Sequence, residues 1–74
     1  MHIGKEILEQ VHASGMTVAG FAERLGYTRT SVYKLMQKST IDTGTLVRVS
    51  RILNYDFFAL YSSIISNEEK KVSK

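Results

Sequence analysis

The sequence predicts an all-α fold of five short helices, on three observations. The 74 residues include no proline, the residue that most reliably interrupts a helix. Strict apolar–polar alternation, the mark of a half-buried strand, is hard to find, whereas apolar residues recur at i, i+3, i+4 and i+7. Third, a local pattern occurs four times: an apolar residue, a Thr or Asp, and a second apolar residue four positions after it. The sets are Met16-Thr17 with Phe21, Tyr27-Thr28 with Val32, Ile41-Asp42 with Leu46, and Tyr55-Asp56 with Leu60. Each reads as an N-cap side chain satisfying free helix amides, beside a hydrophobic staple that fixes how the chain enters the helix.

The helices run in this order. Helix 1 is expected over residues 3–14, with Ile3, Ile7, Leu8 and Val11 on one stripe and Gly15 as a left-handed stop. Helix 2, residues 18–25, places Val18, Phe21, Ala22 and Leu25 on one face and stops at Gly26. Helix 3, residues 29–37, buries Val32, Leu35 and Met36. Helix 4, residues 43–53, uses Leu46, Val49 and Leu53, with Asn54 where a left-handed residue is wanted; Gly44 fits its first turn less well. Helix 5, residues 57–65, carries Phe57, Phe58, Leu60, Tyr61, Ile64 and Ile65. The closing SNEEKKVSK is polar and aperiodic, so residues 1–65 are expected to form the domain and residues 66–74 a disordered tail.

A chain of this length is one domain that buries only about 60% of the surface its unfolded form exposes. Without cysteine, neither disulfides nor thiolate metal sites supplement that core. No apolar run approaches the ~20 residues of a membrane span, and the N-terminus lacks the basic flank and apolar block of a signal peptide. A cytoplasmic protein without membrane contact is expected. The net charge of +3 is unevenly spread. Residues 23–51 carry Arg24, Arg29, Lys34, Lys38, Arg48 and Arg51 against Glu23 and Asp42, a net +4, while the segments on either side are balanced or slightly acidic. A phosphate-binding surface requires such a bias, and a solvated surface shows it by chance.

Helices 2 and 3 are separated by Gly26-Tyr27-Thr28 alone. Gly26 permits φ > 0, Tyr27 folds back as a staple, and Thr28 caps helix 3, which together make a helix-turn-helix unit. At 100° per residue, Thr30, Tyr33, Lys34, Gln37 and, at the edge, Lys38 lie opposite the buried stripe of helix 3, with Arg29 projecting from its first turn. No acidic residue occurs between Glu23 and Asp42. These side chains suit groove reading: Arg or Lys to guanine, Gln to adenine, the Thr methyl to thymine.

Residues 17–38, TVAGFAERLGYTRTSVYKLMQK, resemble the helix-turn-helix of the lambda-repressor-like (Cro/C1, XRE-type) DNA-binding domains. Phe21-Ala22 sits at that family's apolar-Ala pair, Leu25-Gly26 at its turn, and Val32 and Leu35 at the buried positions of its recognition helix. GTLVRVSRILNYDFFALY is similar to its fourth helix and the start of its fifth, so the resemblance covers about residues 3–62. The chain departs from the family in three places. Val18 stands where many members carry Gln, Tyr27 replaces an aliphatic residue, and Met36-Gln37-Lys38 occupies a frequent Glu-x-Gly.

The resemblance implies a compact five-helix domain that regulates transcription, as a repressor, with helix 3 in the major groove of double-stranded DNA. It implies base contacts from Arg29, Thr30, Tyr33, Lys34 and Gln37, and phosphate contacts from Thr17, Ser31, Lys38, Ser39 and Thr40. For Tyr33, packing against Thr17 or the neighbouring helix is an equal alternative. Helix 5 holds more apolar surface than one face buries, so a homodimer on a near-palindromic operator is expected, its interface assigned to Val47, Tyr61, Ile64 and Ile65. Arg48 and Arg51 read as solubilising. His2 and His12 are too far apart to suggest a metal site, and neither a cofactor nor a catalytic constellation is indicated. Two other functions stay open: an antitoxin-type autorepressor that also binds a partner protein, and an interaction module that kept the fold without binding DNA.

Overall fold

Three side-chain caps set the helix starts where the sequence expects them. In a computed structural model of the chain, which describes residues 1–72 and the side chains of residues 1–67, Thr17 Oγ1 accepts from the Gly20 amide at 3.0 Å. Thr28 Oγ1 accepts from the Ser31 amide at 3.1 Å, and the Asp42 carboxylate from the Thr45 amide at 2.8 Å. Each Thr cap contributes about 1 kcal/mol. They open α2 (Val18–Leu25), α3 (Arg29–Met36) and α4 (Thr43–Leu53), which come after α1 (Ile3–Ala13) and before α5 (Phe58–Val72). The described residues form no strand.

Helix ends close through left-handed residues at Gly15, Gly26 and Asn54. Each time the next amide reaches back five residues, Met16 to Val11, Tyr27 to Ala22 and Tyr55 to Ser50, at 2.9–3.2 Å, which satisfies carbonyls the helix leaves unpaired. Ser14 and Gln37, expected inside helices, are instead the capping residues of α1 and α3.

The fourth cap behaves differently. Asp56 Oδ1 accepts from Phe58, two residues on, at 3.0 Å, so Phe57 lies in a turn and α5 begins one residue later than expected. That turn drives the Phe57 ring fully into the core, edge-on to Tyr55 at a centroid distance of 4.7 Å. At its other end α5 continues past Ile65 to Val72, where the sequence predicted fraying; residues 73 and 74 of that tail lie outside the described residues.

The core consists of Ile3, Ile7 and Val11 from α1; Phe21, Ala22 and Leu25 from α2; Val32, Leu35 and Met36 from α3; Leu46, Val49 and Leu53 from α4; and Phe57. These are the stripes predicted by helical spacing. Helices α1 and α2 each pack on both α3 and α4. Among the residues of α5 whose side chains are described, those of the first turn reach this core, through Phe58, Leu60 and Tyr61. The molecule measures 47 × 20 × 19 Å.

Candidate nucleic-acid interface

The connection between α2 and α3 depends on Gly26, whose φ of 78° places it in the region that side chains disfavour. Its turn is held from outside by Arg48, whose guanidinium donates to the Leu25 carbonyl. The sequence reading of Arg48 as merely solubilising is therefore corrected: it satisfies a carbonyl at the open end of α2. Tyr27, half-buried, packs against the core after the turn.

Beyond the turn, Arg29, Thr30, Tyr33, Lys34 and Gln37 are all exposed. Their spacing gathers Thr30, Tyr33, Lys34 and Gln37 on the side of α3 opposite buried Val32, Leu35 and Met36, while Arg29 lies off that face and projects from the first turn. The face spans two hollows. Lys34 lines one of about 250 Å³ together with Ser31, Lys38, Leu35, Tyr27 and the first turn of α4. Tyr33 and Gln37 line another of about 450 Å³, against His2, Lys5 and Leu8 of the α1 end. Tyr33 thus flanks the start of α1 while remaining 52% exposed. Arg29 and Thr30 stand clear of both hollows at the N-terminal end.

The residues expected at phosphates are exposed as well: Thr17, Ser31, Lys38, Ser39 and Thr40. Thr17 uses its oxygen as a cap acceptor and keeps its hydroxyl proton for another partner. The Thr28 hydroxyl donates to Ser31 Oγ at 3.0 Å, which likewise leaves the Ser31 proton directed elsewhere. Ser31 and Lys38 are brought together beside Lys34; Thr17 belongs to the separate start of α2.

One acid borders this surface. Asp42 shares the hollow with Lys34 and Lys38. Its carboxyl is held below the ordinary carboxylate range by the hydrogen bonds from the Thr45 amide and hydroxyl, helped by the charge of Lys38. The cap thus draws the carboxylate into bonds with α4.

Of the residues assigned to self-association, Val47, Ile64 and Ile65 are exposed. Tyr61 is only half-exposed, since it packs on the core and lines an apolar hollow of about 360 Å³ with Thr40, Ile41, Thr43, Leu46 and Phe58.

Sequence reasoning missed the end of α1. His2 Nδ1 accepts from the Lys5 amide at 3.1 Å and caps the helix, while Nε2 lies 3.1 Å from the Gln37 carbonyl. The Ile3 and Gly4 amides donate to the Ser39 and Lys38 carbonyls at 3.1 and 3.0 Å. Two signals were present: a polar side chain just before the first apolar position, and a glycine inside a helical stripe.

Among the described residues no group of three or more His, Cys, Asp or Glu side chains is placed to hold a metal ion, and no helix is long and apolar enough to cross a membrane. Searches of protein-family models, curated proteins and solved structures find no match to this chain.

Proposed function

We propose that this chain is a lambda-repressor-like (Cro/C1, XRE-type) regulator that reads double-stranded DNA, with α3 in the major groove. The observation that carries the reading is the side of α3 away from the core. Thr30, Tyr33, Lys34 and Gln37 are exposed there, with Arg29 exposed in the first turn, without an acidic residue on the helix, and they come after a turn built on Gly26 and tied by Arg48. Base edges would be read by those five side chains. Ser31, Lys38, Ser39 and Thr40, with Thr17 at the start of α2, would fix register on the phosphates. The first-turn amides of α2 and α3 add donors suited to anions.

The protein would work in the cytoplasm as a non-catalytic repressor. Exposed Val47, Ile64 and Ile65 with half-exposed Tyr61 support a homodimer, whose two copies of α3 would enter the groove about 34 Å apart on a near-palindrome.

Selection from a random duplex pool at about 100–150 mM salt, and then titration of the enriched site over a salt series, tests this. Enrichment of an inverted repeat with half-sites one helical turn apart is expected. Failure to enrich any sequence, with only weak and steeply salt-dependent binding, would reject the reading. The same apolar residues would then serve an unidentified protein partner, as in an antitoxin or an interaction module.

A further inference from the structure

Three consecutive carbonyls at the end of α3 are held by three consecutive residues at the start of α1. Gln37 O meets the His2 ring, and Lys38 O and Ser39 O receive the Gly4 and Ile3 amides. These two amides belong to the first turn of α1, where no intrahelical acceptor is available, and the carbonyls have left the α3 ladder. Each set of unpaired groups satisfies the other. The approach is close: a Cβ on Gly4 would stand 2.1 Å from Met36 O and 2.7 Å from Lys38 O, so only glycine admits it.

The geometry has a directional result. In a trans peptide the N–H of one residue points opposite to the C=O of the residue before it. With the Lys38 and Ser39 carbonyls drawn onto α1, the Ser39 and Thr40 amides face away from it. Neither finds a backbone acceptor among the described residues, and both residues are exposed.

We propose that His2, Ile3 and Gly4 form a positioning clamp, which fixes the direction in which the loop of residues 38–40 presents its amides and the Lys38 charge to a DNA phosphate. This rests on the DNA-binding reading and adds to it a role for residues outside the base and phosphate contacts assigned there. His2 is the separable part. Its ring does two jobs through two nitrogens, capping α1 and reaching Gln37, and the two are compatible in the tautomer protonated at Nε2.

The test uses His2→Asn in the full chain. Asn is a good N-cap, so the Lys5 amide keeps its acceptor, but the shorter side chain does not span to the Gln37 carbonyl as well. The control is His12→Asn, on an exposed position of the same helix. Thermal midpoint, ¹⁵N relaxation of the amides of residues 38–40, and binding to a random-sequence duplex over a salt series are measured for all three proteins. For His2→Asn the expected result is a midpoint near wild type, greater mobility of residues 38–40, roughly 3–10-fold weaker binding near 100 mM salt, and a salt slope shallower by about one. The control should match wild type throughout. If wild type binds duplex and His2→Asn binds with the same affinity and slope, the clamp proposal is overturned and the DNA-binding reading survives. If wild type itself binds no duplex, that reading fails and takes the clamp's role with it. Gly4→Ala, read the same way, removes the clamp altogether, and a folded Gly4→Ala protein with unaltered binding would also overturn it.

Discussion

At the scale of single residues, two glycines carry different constraints and should respond differently to the same change. Gly26 has a left-handed backbone, but a Cβ there would meet only the end of the Arg48 side chain, at 3.8 Å. Gly26→Ala should therefore cost about 1–2 kcal/mol, all of it backbone strain. Gly4 has an ordinary helical backbone and no room, so Gly4→Ala should cost more, through displaced carbonyls. Urea unfolding midpoints of the two variants should fall in that order, and the reverse order would show that the approach of α1 to α3 is soft. Asp42 gives a pH prediction. Its folded carboxyl titrates below its ordinary value because of the bonds from Thr45. Its contribution to stability is therefore complete above about pH 4 and is lost as pH falls through the lower folded value. Asp42→Asn retains a capping oxygen without the charge. Thermal melts between pH 6 and 2.5 should show a larger loss for wild type than for the variant, and parallel losses would contradict the assignment.

At the scale of elements, α3 has a buried face that stabilises the fold and an exposed one to which the proposal assigns recognition. Arg29→Ala and Lys34→Ala should each reduce the preference for the selected operator over random duplex by about 1–3 kcal/mol. Lys38→Ala should weaken binding to all sequences alike and lower the salt slope by about one. Equal losses on specific and random DNA for all three variants would dissolve the distinction between reading and anchoring. The elements themselves were largely legible in the sequence. The bounds of α2 and α4 are set by Thr17, Asp42, Gly26 and Asn54, because caps and left-handed stops are local chemistry. Arg48 was misread and the reach of His2 to Gln37 missed because those partners lie 23 and 35 residues away, and neither composition nor period encodes a carbonyl left open at another helix's end. The start of α5 was off by one residue, since Asp56 satisfies an amide two positions on instead of three, a choice settled by where Phe57 finds its cavity. The exposure of Thr30, Tyr33 and Lys34 was legible, because helical period assigns sides once the buried stripe is known.

At the scale of the whole molecule, the arrangement of α5 bears on assembly. Its first turn closes the core, whereas Ile64 and Ile65, beyond that turn, stay exposed. In the proposed dimer these residues would be covered. Ile64→Ser with Ile65→Ser should leave the thermal midpoint of the dilute protein close to wild type, because neither side chain packs on the core. The same change should lower the weight-average mass seen by light scattering at high micromolar concentration. A wild type that scatters as a strict monomer, free and with DNA, would end the dimer proposal. The core has a consequence of its own: among the described residues, no charged side chain is buried in it, and the polar side-chain atom enclosed there is the uncharged Ser50 hydroxyl oxygen. Dissolved ions therefore have little to act on inside the fold, while the exposed cations of α3 and its loop feel them fully. Ionic strength then becomes a selective handle. Moving from dilute buffer to several hundred millimolar salt should strip the protein from a polyanion while leaving its melting curve almost in place, so a change of both together would signal that folding and attachment are not independent.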